Sequence, residues 1–344
     1  MSAASGLGSW PGTDIRTPMR LVRDILTRTP TGGEPGIPYL PELPQRGPGA
    51  ALVGRAAGLL VDLPVDLQPS GWRLVDHPGR DAERTAAWLR TDLDELAEVY
   101  DGYQGLLKVQ VAGPWTLASQ LRLGRGERVV VDPGARRDVI ASLAEGVRVH
   151  LATVGRLVPG ADVMLQLDEP GLPSVLSGEL PTSSGFGRLP AIDLPEAQEA
   201  LMTVLAAAED RATVIHCCAP AAPLGLLRAA GAGGVALDVA TLGESAWESV
   251  ATCVEAGVRF WAGVVPTDAV APANAGRAPA RPEHHEVIAP LVRRWRAVGL
   301  PTGALAGVVV TPACGLAGLT PDRARAVQEL VADAAGALSE AARA

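Results

Sequence analysis

The chain alternates short runs rich in Val and Leu with longer segments of helical periodicity, and polar turns separate them. Such alternation is typical of strand–helix units around a parallel sheet, and eight parallel strands can close into a barrel. The candidate strands lie at residues 6–10, 72–75, 107–112, 163–167, 213–216, 234–239, 258–265 and 306–311. The sequence therefore predicts an α/β protein with a single (β/α)8 TIM barrel over residues 1–344.

Helical patterns lie between the candidate strands. They cover residues 81–100, 136–157, 194–209, 283–298 and 320–341. Three further stretches, at residues 30–49, 177–190 and 266–282, are rich in Pro, Gly, Ser or Ala and are long for simple connections. We expect long loops at the carboxyl-terminal face of the barrel, either as lids over a site or as disordered decoration.

Charge and composition exclude several classes of partner. The formal net charge is −8, and the sequence has no basic stripe of the kind that binds nucleic acid. Neither a signal peptide nor a run of about 18 apolar residues is present, so we expect a cytoplasmic protein without a membrane partner. Four cysteines in 344 residues are too few for a disulfide scaffold, and in a reducing compartment they indicate metal binding or catalysis.

The sharpest local signal is a β-branched run that ends in His216-Cys217-Cys218. Residues two apart on a strand point to the same side, so His216 and Cys218 can bind one ion while Cys217 faces away. A second such run ends near Cys314, and together these side chains suit a catalytic zinc site. Cys253 lies on a helical pattern, where we expect it to fill core space.

Two strand ends also carry carboxylates within apolar surroundings. Asp238 needs a cation or hydrogen bonds, so we expect a zinc ligand there, the alternative being a partner that fixes the tautomer of His216. Asp168 points into the barrel mouth and suits a substrate ammonium group. For Glu169, which follows it, a charge at a helix N-terminus is favoured over catalysis.

Five short motifs resemble, in order, those of the catalytic barrel of cobalamin-independent methionine synthase, within the larger group that includes uroporphyrinogen decarboxylase. The motifs are Leu7-Gly8-Ser9-Trp10-Pro11, Ala112-Gly113-Pro114-Trp115-Thr116, Leu167-Asp168-Glu169-Pro170, His216-Cys217-Cys218 and Pro312-Ala313-Cys314-Gly315-Leu316. The zinc ligands that the resemblance implies are His216, Cys218 and Cys314, with Asp238 at the position of the family's Glu ligand. It also implies that Gly8, Ser9 and Asp168 surround the amino-acid part of homocysteine.

The activity that this resemblance implies is a zinc-dependent transfer of a methyl group to a thiol, with homocysteine giving methionine. Zinc makes a bound thiol reactive as its thiolate. The methyl donor is expected to be either 5-methyltetrahydrofolate or methylcobalamin, and in the second case a corrinoid protein would be the partner.

Departures from the family pattern leave alternatives open. Ser119-Gln120 stands where the family has the Asn-Trp whose Trp stacks on folate, and only one barrel fits the chain. The family's proton-donating His has no match; Asp268 lies near its expected position and is our candidate donor, although His284 and His285 could return from the following loop. No segment before the Gly-Pro-x-Thr strand matches the family's acidic homocysteine-binding segment.

Two other functions fit the same residues. A methyltransferase for another thiol, such as a coenzyme thiol, would keep the zinc ligands but would not need Asp168 for an ammonium group. A non-catalytic zinc- or thiol-binding barrel is the alternative outside enzymes. A metal-free decarboxylase of the related group has no use for His216, Cys218 and Cys314 together.

Overall fold

A computed structural model describes residues 1–28, 34–267 and 282–344. Its strands are β1 (Ala3–Ala4), β2 (Val65–Gln68), β3 (Gly71–Leu74), β4 (Gly105–Ala112), β5 (Ala161–Asp168), β6 (Thr213–His216), β7 (Gly234–Asp238), β8 (Arg259–Val265) and β9 (Val309–Pro312). Its helices are α1 (Arg16–Leu26), α2 (Leu52–Ala57), α3 (Arg80–Val99), α4 (Pro114–Gln120), α5 (Pro133–Leu157), α6 (Leu172–Ser177), α7 (Leu194–Ala206), α8 (Leu224–Ala229), α9 (Glu244–Glu255), α10 (His284–Ala297) and α11 (Pro321–Ala341). The alternation of strands and helices confirms the predicted fold class.

Seven of the strands form a curled parallel sheet in the order β1-β9-β8-β7-β6-β5-β4. The eighth position of the barrel is occupied by the extended segment 36–42. The backbone N–H of Ile37 donates to Ala4 on one side, at 2.7 Å, and that of Leu40 donates to Lys108 on the other, at 3.0 Å. The N–H of Lys108 in turn donates to Pro38 at 2.9 Å. This segment therefore connects the two edges of the sheet.

Two of the predicted barrel strands were wrong in position or role. Residues 72–75 correspond to β3, but β3 pairs antiparallel with β2 in a separate two-stranded sheet. Residues 6–10 follow β1 and form the loop above it. A side chain at Gly6 would collide with the ring of Tyr39, and Gly8 has a φ of +124°, which a continuous strand does not contain.

Strand alternation divides the side chains of the sheet between two regions. Those on the inner side form an apolar cluster of their own, separate from the large core between the sheet and the helices. The members of the inner cluster are Ala3, Leu7, Ile37, Met164, Val214, Ala236, Trp261 and Val309. Further along the same strands toward their carboxyl ends, the buried inner positions become polar, including Gln110, Gln166, Asp168, His216 and Thr311. The inside of the barrel thus has an apolar floor and a polar upper part.

Helices surround this sheet, and the long helices α5 and α11 begin at residues whose side chains cap them. Asp132 accepts the N–H of Ala135 at the start of α5, and Thr320 accepts that of Arg323 at the start of α11. Each is followed by a proline, which suits the first helical position. Within the described residues, no helix has both the length and the apolar character needed to cross a membrane.

The predicted loop at residues 177–190 is braced against the rest of the molecule. The Ser183 hydroxyl donates to the carbonyl of Gly126 at 2.8 Å, and its backbone N–H donates to the carboxylate of Glu127 at 3.0 Å. Arg122 donates to the Ser183 hydroxyl at 2.7 Å. At its tip, Phe186 is fully exposed. Most of the predicted loop at residues 266–282 lies outside the described residues.

Candidate metal and substrate site

Polar side chains gather where β5, β6 and β9 end. Asp168 and His216 are the last residues of β5 and β6, and they are direct neighbours in the register of these strands. Cys218 and Cys314 lie two residues beyond the ends of β6 and β9. All four side chains lie at the carboxyl-terminal face of the barrel, where barrel enzymes carry their chemistry.

The sulfur atoms of Cys218 and Cys314 are 3.8 Å apart, although β6 and β9 are not neighbours in the sheet. Two thiolates bound to one tetrahedral zinc ion at about 2.3 Å are also about 3.8 Å apart, because a tetrahedron's edge is about 1.63 times its centre-to-corner length. The observed spacing therefore fits a pair of zinc ligands. Cys217 and Cys253 are instead buried in the core.

The two thiols differ in proton affinity. The sulfur–sulfur hydrogen bond with Cys218, together with the N–H of Gly315 and the nearby His216, lowers the pKa of Cys314 to about 6. The same hydrogen bond, reinforced by burial, raises the pKa of Cys218. Cys314 is therefore the more acidic of the two thiols. Burial raises the pKa of Cys217 to about 12, which keeps it a thiol.

His216 has one ring nitrogen engaged and one free. Its Nδ1 lies 2.7 Å from Oδ1 of Asp168, and this oxygen also accepts a hydrogen bond from the Gln166 amide at 2.7 Å. Its Nε2 is buried and has no hydrogen-bond partner among the residues that the structure describes. A carboxylate on Nδ1 is the arrangement that orients metal-binding histidines and leaves Nε2 for the ion. Asp168, and not Asp238, therefore fixes the ring of His216.

These observations test whether zinc suits the residues present. Across residues 1–28, 34–267 and 282–344, no three His, Cys, Asp or Glu side chains already surround one point as metal ligands. However, the thiol pair has the spacing of two zinc ligands, and Nε2 of His216 is an unpaired buried acceptor beside it. Two sulfurs and one imidazole form a donor set that zinc prefers. The donor set of these residues therefore fits zinc.

Asp238 ends β7 and is half-buried. Its Oδ1 accepts the N–H of Ala240 at 2.9 Å and so caps the short turn after the strand. It lines a cavity of about 720 Å³ that also contains Cys314, Trp247 and Val264. Asp238 therefore lines the same cavity as Cys314, and its hydrogen bond to Ala240 stabilises the turn after β7.

Gly8 and Ser9 lie in the loop above β1 and approach the end of β9. The carbonyl of Ser9 accepts the N–H of Leu316 at 2.9 Å, and the Ser9 hydroxyl lies against Gly315. Gly8 contacts the side chain of Gln110 so closely that an added Cβ would lie 2.7 Å from it. The first and last strands thus bring these residues next to the loop that carries Cys314.

Sequence reasoning missed a buried group of charges below Asp168. Lys108 is fully buried on β4, its ammonium 3.4 Å from Oε1 of Gln110 and 5.0 Å from the ring of Tyr39. Burial lowers the pKa of Lys108 to about 7, while the negative charges of Asp168 and Glu42 act in the opposite direction. The sequence does contain a signal for this group, because a lysine and a glutamine interrupt the apolar strand Leu-Leu-Lys-Val-Gln-Val.

Glu42 is the last residue of the segment that closes the barrel, and its backbone N–H donates to the Gly8 carbonyl at 3.0 Å. The carboxylate is buried and lies 3.2 Å from the Arg55 guanidinium, which also binds Asp92 at 2.7 Å. Burial raises the pKa of Glu42 to about 6, with Arg55 opposing it and Asp168 adding to it. Glu42 is therefore a buried carboxylate near the site that no sequence motif predicted.

Glu169 holds the start of α4. Its carboxylate accepts the backbone N–H of Trp115 at 2.9 Å and the N–H and hydroxyl of Thr116, each at 2.7 Å. Burial raises the pKa of Glu169 to about 7, while these three donors act in the opposite direction. The expected position at a helix N-terminus agrees with this contact.

Asp268, the candidate proton donor, lies outside the described residues.

Comparison with known proteins adds independent information. Residues 2–337 match the family described as cobalamin-independent synthase, catalytic domain. No curated protein matches the sequence. Among solved structures, the fold is similar to that of a B12-independent methionine synthase from Shewanella sp. W3-18-1 in complex with selenomethionine, with a TM-score of 0.57, 12% identity, and coverage of 98% of this chain and 97% of that chain. At this identity the similarity concerns the fold.

Proposed function

Because the chain belongs to the family of the cobalamin-independent synthase catalytic domain, we propose that it transfers a methyl group to the thiol of homocysteine at a zinc site, giving methionine. The observation that carries this proposal is the pair of sulfurs 3.8 Å apart beside the free Nε2 of His216. The similar fold of a methionine synthase in complex with selenomethionine supports a methionine-like product.

In this proposal His216, Cys218 and Cys314 hold the ion, and Asp238 is the candidate for the fourth protein position. When bound, zinc lowers the pKa of a substrate thiol and so favours the nucleophilic thiolate. Asp168 keeps the imidazole of His216 in the tautomer that offers Nε2. The lowered pKa of Cys314 favours the thiolate that a metal ligand must be.

The amino-acid part of the substrate is proposed to lie between the loop of Gly8 and Ser9 and the carboxylate of Asp168. Within the described part of the chain, the Asp168 carboxylate accepts hydrogen bonds through Oδ1, and we propose that Oδ2 accepts the substrate ammonium group. Glu42 adds a second buried carboxylate on this side, and both carboxylates favour the charged form of the buried Lys108. Holding the amino acid there fixes the position of its sulfur.

The methyl donor is proposed to be 5-methyltetrahydrofolate, since the family is described as independent of cobalamin. Ser119 and Gln120 lie at the end of α4, without the aromatic residue expected of a folate platform. A turnover assay for methionine with methyl-folate and methylcobalamin offered separately decides between the donors. We propose Asp268 as the proton donor to the leaving group.

Metal analysis tests the proposal first. We expect about one zinc ion per chain, lost in Cys218→Ser and in Cys314→Ser but retained in the matched variants Cys217→Ser and Cys253→Ser, whose sulfurs are buried in the core. Protein that takes up no zinc, or that keeps zinc in both ligand variants, contradicts the site.

A second experiment separates homocysteine from other thiol acceptors. Asp168→Asn retains an oxygen for His216 but removes the charge, so we expect zinc to stay bound while KM for homocysteine rises about tenfold or more. 4-Mercaptobutyrate, which is homocysteine without its amino group, serves as the matched substrate and should react equally poorly with both proteins. If Asp168→Asn does not change KM for homocysteine, the acceptor is a thiol without an ammonium group.

A further inference from the structure

Cys218 and Cys314 form a pair of free thiols at the mouth of the barrel, with their Sγ atoms 3.8 Å apart. We propose that this pair is an oxidation site: in the zinc-free protein a peroxide converts it to a Cys218–Cys314 disulfide, and zinc and the disulfide exclude each other. The protective effect of zinc rests on the proposed function, whereas the reaction of the thiols does not.

The geometry allows the bond to form without disturbing the sheet. A disulfide has a sulfur–sulfur distance of about 2.05 Å, so the two atoms must approach by about 1.8 Å. Both cysteines lie two residues beyond their strands, β6 and β9, and outside the ladder of backbone hydrogen bonds. Rotation of the exposed Cys314 side chain toward Cys218 supplies the movement.

Access distinguishes this pair from the other two cysteines. Cys314 is exposed and lines the cavity of about 720 Å³, and Cys218 is partly exposed. Cys217 is 1% exposed and Cys253 is 2% exposed, both within the apolar core. A small polar oxidant from solvent therefore reaches Cys314 first and finds Cys218 as the nearest second thiol.

The chemistry is a two-electron oxidation in two steps. The sulfur of Cys314 attacks one oxygen of hydrogen peroxide, the O–O bond breaks, and the products are a sulfenic acid on Cys314 and one water. The sulfur of Cys218 then attacks that of Cys314, the S–O bond breaks, and the hydroxyl leaves as a second water with the Cys218 proton. Two thiols and one peroxide thus give one disulfide and two waters.

The same two sulfurs cannot serve both purposes. Each sulfur must be a thiolate to bind the zinc ion. In a disulfide neither sulfur is a thiolate, so neither can bind the ion in this way. Oxidation therefore removes both proposed sulfur ligands at once, while an ion already bound holds both sulfurs in place. The barrel mouth would then report the redox state of its surroundings through its metal content.

The test treats zinc-free and zinc-loaded full-length protein with hydrogen peroxide and follows free thiols, intact mass and linked peptides. In the zinc-free protein we expect two of the four thiols to disappear, with a mass decrease of about 2 Da and a peptide link between Cys218 and Cys314. Dithiothreitol should restore the thiols and zinc uptake. In the zinc-loaded protein the loss should be about tenfold slower or more.

Two variants distinguish the order of events. Cys217→Ser should behave like the unmodified chain, because its sulfur faces the core. Cys218→Ser removes the second thiol, so the sulfenic acid on Cys314 should persist and be trapped by dimedone. A link through Cys217, a disulfide between two molecules, or four intact thiols in zinc-free protein overturns the proposal. If the link forms but zinc neither binds nor protects, the oxidation site stands and the proposed zinc-dependent function fails.

Discussion

Replacing His150 by Leu should remove a pH-dependent part of the protein's stability. His150 lies on α5 and is 5% exposed. Burial, followed by the positive charge of Arg55, lowers the pKa of His150 to about 4 from its ordinary value of 6.5. The unfolded chain therefore binds more protons than the folded protein below pH 6.5. Stability from this residue is fully present above that pH and declines as the pH falls toward 4.

The magnitude follows from the two pKa values. The full difference corresponds to about 3.4 kcal/mol, since each pH unit between the two values contributes about 1.4 kcal/mol. At about pH 5.5 the unfolded imidazole is mostly protonated and the folded one is not, which gives a loss of about 1.4 kcal/mol relative to neutral pH. Leu has a similar apolar volume and no proton to bind, so the variant lacks this loss.

Urea unfolding at about pH 7.5 and about pH 5.5 measures the effect as a difference between two proteins. The free energy of unfolding of His150→Leu relative to the unmodified chain should rise by about 1.4 kcal/mol at the lower pH. Buried carboxylates such as Glu42 and Glu169 titrate in both proteins, so their contributions to the free energy of unfolding cancel in the difference. His77→Leu, at an exposed position, is the control for loss of a histidine from the unfolded chain. A relative stability of His150→Leu that is the same at both pH values refutes the reasoning.

Three further substitutions test contacts around the site. Glu169→Gln should lower the free energy of unfolding by about 2 kcal/mol, because an amide cannot accept all three hydrogen bonds from Trp115 and Thr116; a change below about 0.5 kcal/mol in urea unfolding contradicts this. Gly8→Ala should cost more stability than the matched Gly12→Ala, since both have positive φ but only Gly8 has a side chain, Gln110, within 2.7 Å of the new Cβ; equal losses would show that crowding is unimportant. Arg55→Met leaves the buried Glu42 without its guanidinium, while Asp92 keeps Arg46, and should cost about 3 kcal/mol or more. Arg20→Met, at an exposed ion pair with Glu98, should cost less than about 1 kcal/mol.

The strands that carry the thiol and imidazole groups were predictable because their sequences are unambiguous. A β-branched run followed at once by His216, and another that leads to Cys314, defined both the strand ends and their polar residues, and β6 has the predicted bounds. The meeting of Cys218 and Cys314 followed from the rule that strand ends share one face of a barrel.

The closing segment 36–42 was not predictable by the same rules. Prolines at positions 35, 38 and 41 are typical of a loop, because proline has no N–H to donate to a neighbouring strand. The segment nevertheless pairs, since Ile37 and Leu40 still donate and Pro38 still accepts. Glu42 was missed for this reason, and the Asp168 contact with His216 was missed because two neighbouring strand ends leave the choice of partner open.

Because Ala3 pairs with Val309, one edge of β1 has its partner strand only after β9 has been synthesised. During synthesis, a chain that has emerged as far as β8 already carries His216 and Cys218, but it has an open ring. Cys314 follows β9 by two residues, so the second sulfur arrives with the strand that closes the ring. The two sulfurs and the imidazole of the proposed zinc site are therefore all present only once the strand that closes the ring has been made.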